Sequence, residues 1–104
     1  MTKIAVVFAE GFEEIEALSP VDVFRRAGFD CSMLGLESAS VTGSHGIQVA
    51  MDDVFDGNFD AYDLVVLPGG MPGSTNLRDH EGLITALQAR NKAGKYIADR
   101  KSVV

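Results

Sequence analysis

The sequence predicts an α/β protein built on a doubly wound, mainly parallel sheet. Three observations carry that expectation. Two short runs, Lys3-Ile-Ala-Val-Val-Phe-Ala9 and Asp63-Leu-Val-Val-Leu67, are almost continuously apolar and rich in branched residues. That is the pattern of strands covered on both faces, as central parallel strands are. Helix-like stretches alternate with the strands, which places crossover helices between parallel neighbours, with right-handed connections. Glycines stand where those helices must stop, at Gly28 and Gly94.

Taken in order, Lys3–Ala9 is the first strand and Glu10-Gly11 its turn. A helix runs from about Glu13 to Ala27, with Gly28 as its left-handed stop. Pro20 lies inside it. Either Ser19 caps a second helix with Pro20 at its first position, or one helix kinks there; one kinked helix is the expectation. Phe29–Leu36 is the second strand. Val41-Thr42 and Ile47–Ala50 flank Gly43-Ser44-His45-Gly46 as a small hairpin. Asp52–Ala61 is polar and reads as loop. Asp63–Leu67 is the next buried strand, closed by Pro68-Gly69-Gly70. A loop over Met71–Asn76 leads to a helix from about Glu81 to Ala93, and Lys95–Ala98 opens a further strand.

The chain has 104 residues, enough for one domain and one core. Nine basic and fifteen acidic side chains give a net charge of −6, which argues against nucleic acid and anionic membrane surfaces as partners. Cys31 is the single cysteine, so no internal disulfide forms, and the expected setting is the cytoplasm. The apolar stretch from Ile4 to Ala9 is too short for a signal peptide or a membrane span. His45 and His80 belong to no metal-binding spacing. The acidic turn Glu10-Gly11-Phe12-Glu13-Glu14 would repel a flavin or nucleotide phosphate, and no phosphate-binding glycine motif is present. A phosphoacceptor receiver needs clustered aspartates at the end of the first strand, where only Glu10 stands.

Glu16 is the strongest single candidate for chemistry. At about 100° per residue, Glu14, Asp22, Arg25 and Arg26 fall on the polar arc of the first helix. Glu16 falls instead among Phe12, Pro20, Val23 and Ala27, on the apolar face. A carboxyl desolvated there favours its protonated form, which donates a hydrogen bond to a nucleophile or passes a proton. The bland alternative is an acid near a helix start that reaches water or favours the dipole, and Glu13 is read that way. The glycines Gly69 and Gly70 after a buried strand suit either a tight turn or a backbone N–H site for an oxyanion. Cys31, mid-strand among apolar neighbours, reads as a small buried hydrophobe. His45 and His80 read as surface polar residues.

Three segments together resemble one family: Lys3-Ile-Ala-Val-Val-Phe-Ala-Glu-Gly-Phe-Glu-Glu-Ile-Glu16, Pro20-Val-Asp-Val-Phe-Arg-Arg-Ala-Gly28 and Asp63-Leu-Val-Val-Leu-Pro-Gly-Gly70. They resemble the ThiJ/PfpI family of the class I glutamine amidotransferase-like superfamily, on the branch of the parkinsonism-associated deglycase and its bacterial relatives. The resemblance runs from about Lys3 to Ala98. It implies a flavodoxin-like sandwich, a homodimer and no cofactor. It also implies a reactive cysteine on a strand-to-helix turn, a nearby histidine, and a glutamate bonded to that cysteine. Glu16 matches the glutamate. Gly69 and Gly70 match the glycines whose backbone lines the site. Ser44-His45-Gly46 stands where many relatives have Ser-Arg. The activities implied are glyoxalase or deglycase action on 2-oxoaldehydes and their adducts, protection from oxidants, and chaperoning.

Lys101 stands where the resemblance would put the nucleophile, and the histidine would lie further on. The expectation is therefore that residues 1–98 are the N-terminal part of such a domain, that this piece is inactive, and that a longer parent is the enzyme. Residues 99–104 are expected to be a non-family tail, since their codons can spell the opening of a common sequencing adapter. An isolated piece of this kind is expected to be poorly stable, with an open sheet edge. The alternative function is a non-enzymatic, redox-protective or chaperone-like dimeric module.

Overall fold

The computed structural model describes residues 2–68, 80–92 and 96–99, the last four and residues 91 and 92 by their backbone. Five strands form one sheet in the order β5-β2-β1-β6-β7. They are β1 (Lys3–Phe8), β2 (Asp30–Gly35), β5 (Asp53–Val54), β6 (Leu64–Leu67) and β7 (Tyr96–Asp99), and each pair is parallel. A separate antiparallel hairpin joins β3 (Ser40–Thr42) to β4 (Gln48–Ala50). Helix α1 (Glu14–Arg26) links β1 to β2, and α2 (Glu81–Lys92) links β6 to β7.

Strand β1 shows why its run of apolar residues has no alternation. Ile4, Val6 and Phe8 point to one face, where they meet Phe12, Ala17 and Val21 around α1. Ala5, Val7 and Ala9 point to the other, where they meet Leu83, Ala86 and Leu87 of α2. A period of two on a strand with both faces covered requires apolar side chains at every position. The two helices thus cover opposite faces, which is the doubly wound α/β arrangement. Strand order reverses between β1 and β6, because the chain runs outward from β1 to β2 and β5 and then returns to the far side of β1. In such sheets ligands bind outside the carboxyl ends of the strands near that reversal.

Helix α1 is continuous through Pro20. It ends as expected: Gly28 adopts φ +89°, a conformation that costs any other residue strain, and its N–H donates to the Arg25 carbonyl. Arg25 then ties the helix end to the sheet. Its Nε and Nη2 donate to the Cys31 carbonyl at 3.1 and 3.0 Å, and Nη2 pairs with Asp52 at 2.6 Å. Asp52 in turn accepts the Met33 N–H and donates its own N–H to the Met33 carbonyl, so it continues the outer edge of β2.

Two expectations need correction. The segment from Asp52 to Ala61 is not all loop: Asp53–Val54 pairs with Leu34 and Gly35 as a two-residue edge strand, too short to leave a hydrophobic period. The buried face of α1 is also rotated from the one expected. Glu14, Ala17 and Val21 are the buried residues, whereas Val23 and Ala27 are exposed and Glu16 is half-buried. Among the described residues no helix is long and apolar enough to cross a membrane.

Candidate functional site

The turn after β1 organises the carboxyl end of the sheet. The Phe12 N–H closes back on the Ala9 carbonyl at 3.1 Å, and Gly11 takes φ +82°. Phe12 then folds edge-to-face onto Phe8, with centroids 4.9 Å apart. That contact seats the start of α1 directly above the end of β1. Glu13 caps the helix, its carboxylate accepting the Ile15 N–H at 3.1 Å, in keeping with an acid that favours the positive end of the helix.

Glu14 is the residue that sequence reasoning missed. Expected on the polar arc, it is only 5% exposed. The reason is tertiary. The β3–β4 hairpin folds over the first turn of α1 and is stitched to it by backbone bonds from Gly11 N–H to Thr42 and from Ser44 N–H to Phe12. The turn of the hairpin then closes on the Glu14 carboxylate. Oε2 accepts the N–H groups of His45 at 2.8 Å and Ile47 at 3.4 Å, and Oε1 lies 2.9 Å from His45 Nδ1. Gly43 makes room for this: a Cβ there would stand 2.3 Å from Glu14 Oε2.

Burial pushes the Glu14 carboxyl upward, but the hydrogen bonds from the His45 ring and from the backbone outweigh it and hold the group at about 2. Glu14 is therefore a carboxylate, and His45 Nδ1 carries the proton between them. The bond to Glu14, with the negative charges of Glu14 and Glu13, raises the pKa of His45 against a smaller desolvation effect. His45 is thus an exposed ring anchored at one nitrogen, not a detached surface side chain. Glu13, Glu14 and His45 also bring three possible metal-ligand atoms within 4.8 Å of one another. Two backbone N–H groups already occupy Glu14 Oε2, and the positive end of α1 opposes a cation there.

A pocket of about 380 Å³ opens beside this junction, at the carboxyl ends of β1 and β2. Among the described residues, Phe8, Ala9 and Glu10 line it from β1 and Leu36, Glu37 and Ser38 from the end of β2, together with Val41 and His80. His80, expected as a surface residue, is largely buried. Its Nδ1 accepts the Leu83 N–H at 2.9 Å and so caps α2, and its Nε2 lies 3.4 Å from Glu37. Histidine is not a favoured capping residue, so nothing in the local sequence marks the role.

Glu16 is half-buried on α1, one turn beyond Phe12, and is not among the residues that line the pocket. Gly69, Gly70 and Lys101 lie outside the described residues. Cys31 is buried in β2, as expected. Burial raises its pKa, partly offset by the charge of Arg25, and Asp52 and Asp30 push it further up. A thiol in that state is a poor nucleophile.

Comparison with known proteins adds an independent line. A DJ-1/PfpI family profile matches residues 2–99. The chain is 31% identical over 97 residues to the DJ-1 homolog A of Arabidopsis thaliana, covering 91% of this chain and 25% of that protein. It is 33% identical over 69 residues to a Thermococcus kodakarensis protein named as a deglycase, covering 65% of this chain and 42% of the other. Among solved structures, a cysteine-to-alanine variant of a DJ-1 superfamily protein from Salmonella typhimurium superposes with a TM-score of 0.89 at 39% identity, covering 95% of this chain and 55% of that one. The chain thus spans between a quarter and about half the length of these proteins.

Proposed function

The chain belongs to the DJ-1/PfpI family, and from that premise we propose that it supplies the acid-bearing half of a cofactor-free, cysteine-dependent site acting on 2-oxoaldehydes and their adducts. The observation that carries the reading is the turn Gly11-Phe12-Glu13-Glu14-Ile15-Glu16, locked above the end of β1 by the Phe8–Phe12 contact and the hairpin. Glu16, half-buried, lies one turn beyond Phe12 on this segment, and such sheets bind ligands near the point of strand reversal. The likeness to a protein named as a deglycase supports the reaction class.

In this proposal a thiolate adds to the aldehyde carbon of the substrate, and the resulting oxyanion takes up a proton. Glu16 hydrogen-bonds the sulfur or passes a proton, as a carboxyl beside a nucleophile does. The backbone N–H groups of Gly69 and Gly70 take the oxyanion. Cys31 cannot serve as the thiolate, because it is buried in β2 with a raised pKa. The 104-residue chain alone is therefore inactive on this proposal.

The test is turnover of methylglyoxal by two proteins. One is the 104-residue chain. The other is the Thermococcus kodakarensis deglycase with its matching segment replaced by that of this chain. The expected result is no turnover by the first and turnover by the second. Turnover by the chain alone, abolished by Cys31→Ala, would overturn the assignment.

We also propose a homodimer through α1. Ile15, Ser19, Val23 and Ala27 form a ridge at four-residue spacing, uncharged and exposed along its whole length. Ile15 and Val23 are 75% and 61% exposed, and Ile47, 53% exposed, extends the patch at the hairpin. Such a ridge suits helix-to-helix packing between copies.

A further inference from the structure

Helix α1 carries two acids in its first turn, and the fold treats them differently. Glu14 is 5% exposed, whereas Glu16 is half-buried. A carboxylate taken out of water persists only where donors replace its lost solvation. The turn of the β3–β4 hairpin provides three: the N–H groups of His45 and Ile47 on Oε2, and His45 Nδ1 on Oε1. Gly43 leaves the space that the carboxylate fills, since a Cβ there would stand 2.3 Å from Oε2. The hairpin turn is thus shaped around this one carboxylate.

Such an anchor fixes the depth of the first turn and its rotation about the helix axis. The turn needs one, because Pro20 has no N–H to donate to the Glu16 carbonyl four residues earlier. The helical ladder therefore does not tie the chain at Glu16 to the next turn through Pro20. Rotation matters for a side chain: about 10° moves a group about 6 Å from the axis by about 1 Å. We propose that Glu14 is a positioning residue for Glu16, holding the first turn of α1 against the hairpin so that the Glu16 carboxyl keeps one place and direction. The inference rests on the reading of Glu16 as the acid partner of a thiolate. Glu14 itself touches neither sulfur nor substrate in it.

Two experiments test it. In the 104-residue chain, Glu14→Ala should speed amide exchange about tenfold at Ala17, whose N–H bonds the Glu13 carbonyl at 2.9 Å. The amides of Val6 and Leu34, inside the sheet, should keep their protection. Glu14→Gln, which retains an oxygen for the two N–H groups, should restore most of the protection at Ala17. In the grafted Thermococcus kodakarensis protein, Glu14→Ala and, independently, Gly43→Ala should lower kcat for methylglyoxal about ten- to a hundredfold while KM stays within about twofold. On a Glu16→Gln background the same changes should have little further effect, because they act through Glu16. Unchanged exchange at Ala17, an unchanged kcat in both variants, or an equal fall in kcat on both backgrounds would each overturn the positioning role. Full turnover by Glu16→Gln alone would instead overturn the acid reading beneath it, so the two failures are distinct.

Discussion

The contact between Phe8 and Phe12 makes a demanding prediction, because the placement of Glu13, Glu14 and Glu16 all depends on it. Both rings are essentially buried, at 0% and 2% exposure, and they meet edge-to-face at 4.9 Å and 81°. Replacing either ring by leucine keeps most of the volume, so each single change should cost about 1–1.5 kcal/mol. An edge-to-face pair contributes about 0.5–1.5 kcal/mol beyond its area. Both singles lose that same contact, so the double variant should cost about 1 kcal/mol less than the sum of the two singles. The assay is urea unfolding of the four proteins. With a slope of about 1–1.5 kcal/mol per molar for a chain this short, each single change should lower the midpoint by roughly 1 M. Strict additivity would mean that the two rings do not act as a unit, and that something else seats the turn.

Further expectations follow from neighbouring features. Stability should be greatest where Glu14 is ionised and His45 protonated. The Glu14 contribution is present above the ordinary carboxylate value of 4.5 and lost as pH falls through about 2; the His45 contribution is full below 6.5 and lost as pH rises through its raised value. Urea midpoints across pH should therefore fall on the alkaline side in the parent and stay level there in His45→Gln, and parallel curves would refute the pairing. Gly35→Ala should destabilise far more than Gly28→Ala, because its Cβ would stand 1.8 Å from the Ser38 carbonyl oxygen, a backbone atom, whereas Gly28 meets open space and costs only about 1–2 kcal/mol for its positive φ; thermal melts rank the two. Cys31 should react with a thiol reagent at least tenfold more slowly in the folded chain than in urea, since it is buried with a raised pKa; equal rates would show that β2 opens readily. Val23→Lys should shift a dimer to monomer in sedimentation, leaving the fold intact; an unchanged sedimentation coefficient would remove α1 from the interface.

Much of the architecture was legible because it depends on patterns local in sequence. Strands β1 and β6 declare themselves by unbroken apolar runs, and Gly28 marks the end of α1. The site was less legible because its decisive contacts are long-range. A helical wheel places Glu14 on the polar arc, and nothing in α1 reveals that a hairpin some thirty residues later will cover it. The same wheel groups Glu16 with Val23 and Ala27, yet Val23 and Ala27 are exposed while Glu16 is half-buried, a difference the wheel alone cannot give. Strand β5 was missed because two residues carry no period, and the cap by His80 because the ring reaches a backbone N–H through a geometry that the sequence does not encode.

The central claim is that Glu16 is the acid partner of a thiolate. The most direct measurement is methylglyoxal turnover by the grafted Thermococcus kodakarensis protein carrying Glu16 or Glu16→Gln, with the fold of each checked by circular dichroism. Glutamine keeps the shape and a hydrogen bond but cannot pass a proton, so turnover should fall by about 10²–10⁴ while the fold is unchanged. Full turnover with glutamine at this position would contradict the account.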